Sequence, residues 1–162
     1  MTSTHERLVA LLDEHNATYR IVEHEHEGRS KEISKIRGND PCQAMKAIVA
    51  SVRGGGGGKR YVLAILPGIR KLDMKALCSA MGAQKGKFSP PEEATEMTGC
   101  VMGAVPPFSF RDDLAVFVDP ACKENEEVAF NAGRLDRSIF LKFADYERIT
   151  NPTYFKIAMW LI

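Results

Sequence analysis

Three short stretches of this chain carry residue types that could do chemistry. The first is Lys46, which follows a polar stretch and precedes the apolar run Ala47-Ile48-Val49-Ala50. A lysine at the lip of a buried strand has its backbone held, so its ammonium can act as an aimed point charge for a phosphate or a polarised oxygen. The same lysine could instead snorkel to solvent, and composition alone does not choose. The second stretch is residues 98–108, TGCVMGAVPPF. Gly99 and Gly103, with the diproline Pro106-Pro107, give a loop of defined shape. Gly103 lets a ligand approach the main chain closely, and the prolines stiffen the exit and remove two competing donors. Such a loop can present N–H groups to a carbonyl oxygen on which charge develops. It would serve equally as a tight helix-to-strand connection. The third stretch is residues 130–136, FNAGRLD, which reads as a strand end and turn. There Asn131 could point an amide into a pocket while Gly133 serves the turn, or the segment is a plain hairpin capped by Asn131 and Asp136.

Other chemistries fail on spacing. Five glycines, Gly54 to Gly58, precede Lys59 and suggest a phosphate loop, but Arg53 stands where the pattern needs its first glycine and Arg60 where it needs Ser or Thr. His24 and His26 flank Glu25, and strand alternation would put both imidazoles on one face. No further cysteine or histidine follows at ligand spacing, so no metal and no other cofactor is expected. Cys42, Cys78, Cys100 and Cys122 form neither metal-ligand nor redox motifs and read as small core-filling thiols. No Gly-x-Ser-x-Gly elbow is present, so a covalent intermediate is not expected.

These groups must be positioned by elements that the sequence outlines. Ser3 and Glu6 form a capping box ahead of a helix that places Leu8, Leu11 and Leu12 on one face. Residues 19–22 read as a strand, 30–36 as a basic helix stopped by Gly38, and Asp40-Pro41 as the cap of a helical turn reaching Met45. Residues 47–52 and 61–66 are apolar strands joined by the glycine run as a hairpin tip. Residues 73–81 read as a helix, and Ser89, Pro90 and Glu92 open another that ends near Gly99. Residues 114–118, 127–130 and 138–141 are strand-like, and 144–149 form a short terminal helix. Several strand-to-strand connections are too short for crossovers. The expected class is therefore α+β with a mixed, largely antiparallel sheet.

With 162 residues, the chain fits one compact domain spanning 1–162. The net charge of +1 announces no basic field, so nucleic-acid contact would need a local patch. Arg29, Lys31, Lys35 and Arg37 offer one candidate, and Lys59, Arg60, Arg70, Lys71, Lys85 and Lys87 another. Each could equally be a solvated face. No secretory signal and no membrane-length span is visible, which gives a cytoplasmic, reducing compartment and no membrane partner as the expectation. Residues 154–162 are apolar, and either pack on the core or lead into a longer chain.

Taken in order, Lys46 before an apolar strand, the Gly103-x-x-x-Pro107 loop and the late FNAGRLD–SIFLK block resemble the YbaK-like aminoacyl-tRNA deacylases. The TGC-GA-PPFSF, AFNAG-LD-S and ADY-RI wording is most similar to the YeaK-type branch, and the likeness runs from Thr4 to about Pro152. The glycine run departs from the pattern and lengthens a surface hairpin. The resemblance implies a barrel-like mixed sheet flanked by helices. It also implies hydrolysis of the ester joining an amino acid to the 3′-terminal adenosine of tRNA. Lys46 then matches the functional lysine. Gly103, Ala104, Val105, Pro106 and Pro107, with Phe108 behind them, match the loop that handles the aminoacyl carbonyl. Asn131 and Gly133 fall where relatives place a polar pocket. The implied partner is aminoacylated tRNA carrying Ser, Ala or Thr, with a synthetase in cis or in trans. An editing domain of a prolyl-tRNA synthetase clearing Ala or Cys, and a non-catalytic tRNA-binding module, stay open as alternatives.

Overall fold

The computed structural model describes residues 2–160. In chain order the elements are α1 (Thr4–Glu14), β1 (Tyr19–Glu23), α2 (Ser30–Arg37), β2 (Met45–Gly54), β3 (Gly57–Pro67), β4 (Arg70–Leu72), α3 (Met74–Met81), β5 (Lys85–Phe88) and α4 (Pro91–Thr98). There follow β6 (Leu114–Val118), β7 (Glu127–Arg134), β8 (Arg137–Lys142), α5 (Phe143–Thr150), β9 (Thr153–Tyr154) and β10 (Ala158–Trp160). Single 3₁₀ turns, Pro41–Gln43 and Pro120–Glu124, precede β2 and β7.

Two sheets dominate. One has the order β5-β2-β3-β6-β9 and the other β1-β8-β7. Ladders β2–β3, β2–β5, β1–β8 and β7–β8 are antiparallel, whereas β3–β6 and β6–β9 are parallel. A parallel bridge between Ala44 and Ala129 joins the start of β2 to β7 and links the sheets. The mixed, largely antiparallel α+β class expected from the sequence is what forms.

β3 shows why its sequence reads as an unbroken apolar run. Leu63 and Ile65 face the main core, with Leu8 and Leu12 of α1, Phe130 of β7 and Tyr146 of α5. Val62 and Ala64 face a second core with Leu72, Leu77 and Ile157. A strand covered on both faces has no polar side to alternate with. Ile157 also explains the apolar tail: it is fully buried, and β10 pairs with β4. Asp119 fastens this tail, its Oδ2 accepting from the Ile157 and Ala158 amides at 2.9 Å each. The last two residues of the apolar stretch lie outside the described residues.

The glycine run closes the β2–β3 hairpin. Gly55 and Gly56 sit at φ +73° and +91°, the positive values that a two-residue primed turn demands. Ser3 caps α1 as expected, its Oγ accepting from the Glu6 amide.

Four local expectations are corrected. The turn after Asp40 ends at Gln43, so Met45 and Lys46 already belong to β2. Ser89 does not cap α4, because its amide continues the sheet by donating to Val49 O, and the cap position falls on Pro90. Gly133 is not in the β7–β8 turn. It lies inside β7 at φ +83°, where the ladder register shifts between Asn131 and Arg134, so it serves a bulge. Helix α5 is not terminal, since β9 and β10 follow it. The short strands β4, β5, β9 and β10 carry no alternation in sequence and form because neighbouring edges were open to them.

Candidate active site

Four separated segments meet around a cavity of about 190 Å³. Helix α2 brings Ile33 and Arg37, β2 brings Lys46, the loop after α4 brings Met102, Gly103 and Val105, and β7 brings Asn131. Gly28, in the loop before α2, closes one side.

The charges of this cavity are unbalanced. Lys46 is partly buried, and burial lowers its pKa. Among the described residues no carboxylate pairs with it. Burial likewise pushes Arg37 down to about 10. Its guanidinium donates to Asn39 Oδ1 at 2.8 Å and Ser138 Oγ at 3.0 Å, both uncharged. Among the described residues no acidic side chain lines the cavity. Two partly desolvated cations without a counter-charge make a site that gains from an anion or from an oxygen on which negative charge develops.

The loop carrying Gly103 is held rigidly. The Ala104 amide closes a turn onto Val101 O at 3.0 Å, and Ala104 O accepts from the Gly133 amide at 2.9 Å. Tyr146, fully buried, donates its hydroxyl to Pro107 O at 2.7 Å. Gly103 has φ +89°, and a Cβ placed on it would stand 2.8 Å from Gly28 Cα. The glycine is therefore required by its dihedral and by the Gly28 backbone, which fills the place where a side chain would stand. Gly103 thus lines the cavity with main chain alone. Among the described residues, the Gly103 and Val105 amides make no hydrogen bond.

Asn131 lines the cavity and also holds its walls together. Its Nδ2 donates to Gly103 O at 2.8 Å and to Glu27 O at 2.9 Å, while its Oδ1 accepts from Ser138 Oγ at 3.0 Å. One buried amide thus ties together the two loops that meet at Gly28 and Gly103. Asn131→Ala should leave these carbonyls unpaired. The expected loss is at least the about 1–3 kcal/mol of one buried unsatisfied group, read by urea denaturation. An unchanged midpoint and slope would show that the loops hold themselves.

The structure thus gathers Lys46, Gly103, Val105 and Asn131 into one cavity. It leaves Ala104, Pro106, Pro107, Phe108 and Gly133 off its lining. These five are buried or half-buried supports: Phe108 packs on Phe130 and Tyr146, and a Cβ on Gly133 would stand 2.9 Å from the His5 amide. Arg37, Gly28 and Met102 are among the cavity residues that sequence reasoning did not select as site residues. Arg37 had been visible only as one member of a basic cluster. The paired histidines do not converge: His24 Nε2 lies 2.8 Å from Ser138 Oγ, and exposed His26 is 3.9 Å from Asp136. Burial raises the thiol pKa of Cys100 and Cys122, as fits inert core thiols.

Residues 24–149 match the family described as the aminoacyl-tRNA editing domain. The chain is 45% identical over 150 residues to the multifunctional Ser/Thr-tRNA deacylase ProXp-y of Escherichia coli (strain K12), covering 92% of this chain and 89% of that one. A proposed trans-editing enzyme for prolyl tRNA synthetase superposes with a TM-score of 0.80 at 21% identity, over 98% of this chain and 99% of that one. The hypothetical protein APE2540 superposes with a TM-score of 0.84 at 16% identity, over 95% and 100%. These two likenesses speak for the fold. The family match spans the strand, loop and bulge that build the cavity, from Gly28 through Lys46 and Gly103 to Asn131, and the chain belongs to the aminoacyl-tRNA editing domain family.

Proposed function

We propose that this chain hydrolyses the ester between a small amino acid and the 3′-terminal adenosine of a mischarged tRNA, with Ser and Thr as its main substrates. The observation that carries the reading is the uncompensated pair Lys46 and Arg37 beside the unbonded amides of Gly103 and Val105. A tRNA end supplies the anion, and ester hydrolysis supplies the developing oxyanion. The name of the 45% identical relative supports Ser and Thr in particular.

In this reading the water oxygen bonds to the acyl carbon and the carbonyl oxygen takes up negative charge. The Gly103 and Val105 amides stabilise that charge in a preorganised setting. Collapse breaks the bond to the ribose oxygen, which leaves with a proton. Among the described residues the cavity lining holds no carboxylate, imidazole or thiol to relay it. The neighbouring ribose hydroxyl of the substrate is the group placed to do so. Lys46 and Arg37 hold the terminal phosphate or the acyl end by charge. Among the described residues no helix is long and apolar enough to cross a membrane. The proposed place of work is the cytoplasm, after release from a synthetase or in contact with one.

The test is a deacylation panel on tRNAs charged with Ser, Thr, Ala, Cys and the cognate amino acid. Turnover of the seryl and threonyl esters is expected, with the cognate ester spared. No turnover on any ester would leave a binding module instead.

A further inference from the structure

A second compartment of about 360 Å³ adjoins the cationic cavity at Gly103. The two share Ala47, Ile48, Met102, Gly103 and Val105. The second compartment is otherwise apolar. Buried Val49, Ser89 and Ala94 form its depth, while Phe88 and Met102, 57% and 60% exposed, stand toward solvent. Among the described residues, Ser89 is the single one of its lining with a polar side chain. Ser89 is 4% exposed, and its Oγ has no hydrogen-bond partner among the described residues. Its position is fixed, because the Ser89 amide donates to Val49 O at 3.0 Å.

A buried hydroxyl without a partner is a standing cost in the free protein. A ligand hydroxyl relieves that cost, whereas a methyl group in its place does not. We propose that Ser89 is the specificity-determining residue of this site: its hydroxyl pairs with the side-chain hydroxyl of a seryl or threonyl ester seated in the apolar compartment, and so selects these esters over alanyl. The proposal rests on the deacylase reading above. The compartment is larger than a seryl side chain needs, so size does not exclude threonine, whose added methyl suits an apolar lining. Discrimination by volume between Ser and Ala would be weak in such a space. Discrimination by a hydroxyl partner is strong, because the wrong substrate leaves the site's own polar group unpaired.

The experiment measures single-turnover deacylation of seryl-, threonyl- and alanyl-tRNA by the parent, Ser89→Ala and Ser89→Thr, with thermal melting of each. Ser89→Ala should slow the seryl and threonyl esters by about 10–100-fold and leave the alanyl ester within about twofold, since only a hydroxyl pair is lost. Its melting temperature should not fall, because an unpaired buried hydroxyl has been removed. Ser89→Thr should keep the preference for seryl over alanyl and act most against threonyl, whose extra methyl competes for space. A uniform slowing of all three esters by Ser89→Ala would place the shared terminal nucleoside here instead and overturn the proposal. An unchanged seryl-to-alanyl ratio overturns it as well, with the deacylase reading intact. A parent inactive on all three esters overturns that reading and this proposal together.

Discussion

Lys46→Ala is expected to lower deacylation by about 10²–10³-fold, the range typical for removing one preorganised electrostatic contact to a transition state, while the fold survives. The second half follows from the environment of the charge. Burial lowers the Lys46 pKa, which means that the folded state disfavours its charged form relative to the unfolded chain. A base with a depressed folded pKa costs stability at pH values below that pKa, and the cost disappears as pH rises toward the unfolded value. Among the described residues no acidic side chain lines the cavity to offset it. Removing the ammonium at neutral pH should therefore leave the melting temperature unchanged or raise it. Lys46→Arg should recover part of the rate, because it restores charge but not the compact point-contact geometry of an ammonium. Equal turnover by Lys46→Ala and the parent would remove the residue from the mechanism. A large drop in melting temperature would reassign it to packing.

Gly103→Ala should damage both stability and rate. The residue sits at φ +89°, and the added Cβ would stand 2.8 Å from Gly28 Cα and 3.2 Å from Gly28 O. Both contacts are to backbone, so neither can swing aside. A strained dihedral of this kind costs about 1–3 kcal/mol, which for a chain of this size lowers the melting temperature by about 2–4 °C per kcal/mol. The loop must move to relieve the contact, and it carries the Gly103 and Val105 amides with it. Loss of one such donor costs about 10²–10³ in rate, so the folded fraction should also be slow. Gly28→Ala gives the matched control. Its Cβ would meet Gly103 Cα and Leu135 Cδ2 at 3.1 Å each, and its dihedral is not in the left-handed region. It should push on the same loop with a smaller loss of stability. Single-turnover rates and melting on the same samples separate the two effects. A destabilised Gly103→Ala with a normal rate per folded molecule would falsify the amide role and leave only the turn.

The sequence by itself determined the elements that depend on local chemistry. The Ser3–Glu6 box, the Gly38 and Gly99 stops, the glycine hairpin and the buried strand at 61–66 are each set by a cap, a positive φ or a run of apolar side chains, and they form where expected. Lys46 and the Gly103 loop stood out as candidates because a lone cation before a buried strand and a glycine–proline loop are unusual locally, and the fold brings both to one cavity. Tertiary structure alone decided what these groups meet. Arg37 joins Lys46 because α2 folds over the cavity. Nothing in a run of basic residues marks which one turns inward. Gly28 matters because its backbone lies against Gly103, and a contact between residues so far apart in sequence leaves no local trace. Asn131 lines the cavity and also ties two loops, through partners far apart in sequence that only the fold brings to it. Ser89 looked like a helix cap. The open edge of β2 drew its amide into the sheet instead, which left its hydroxyl without the partner that a cap would have had.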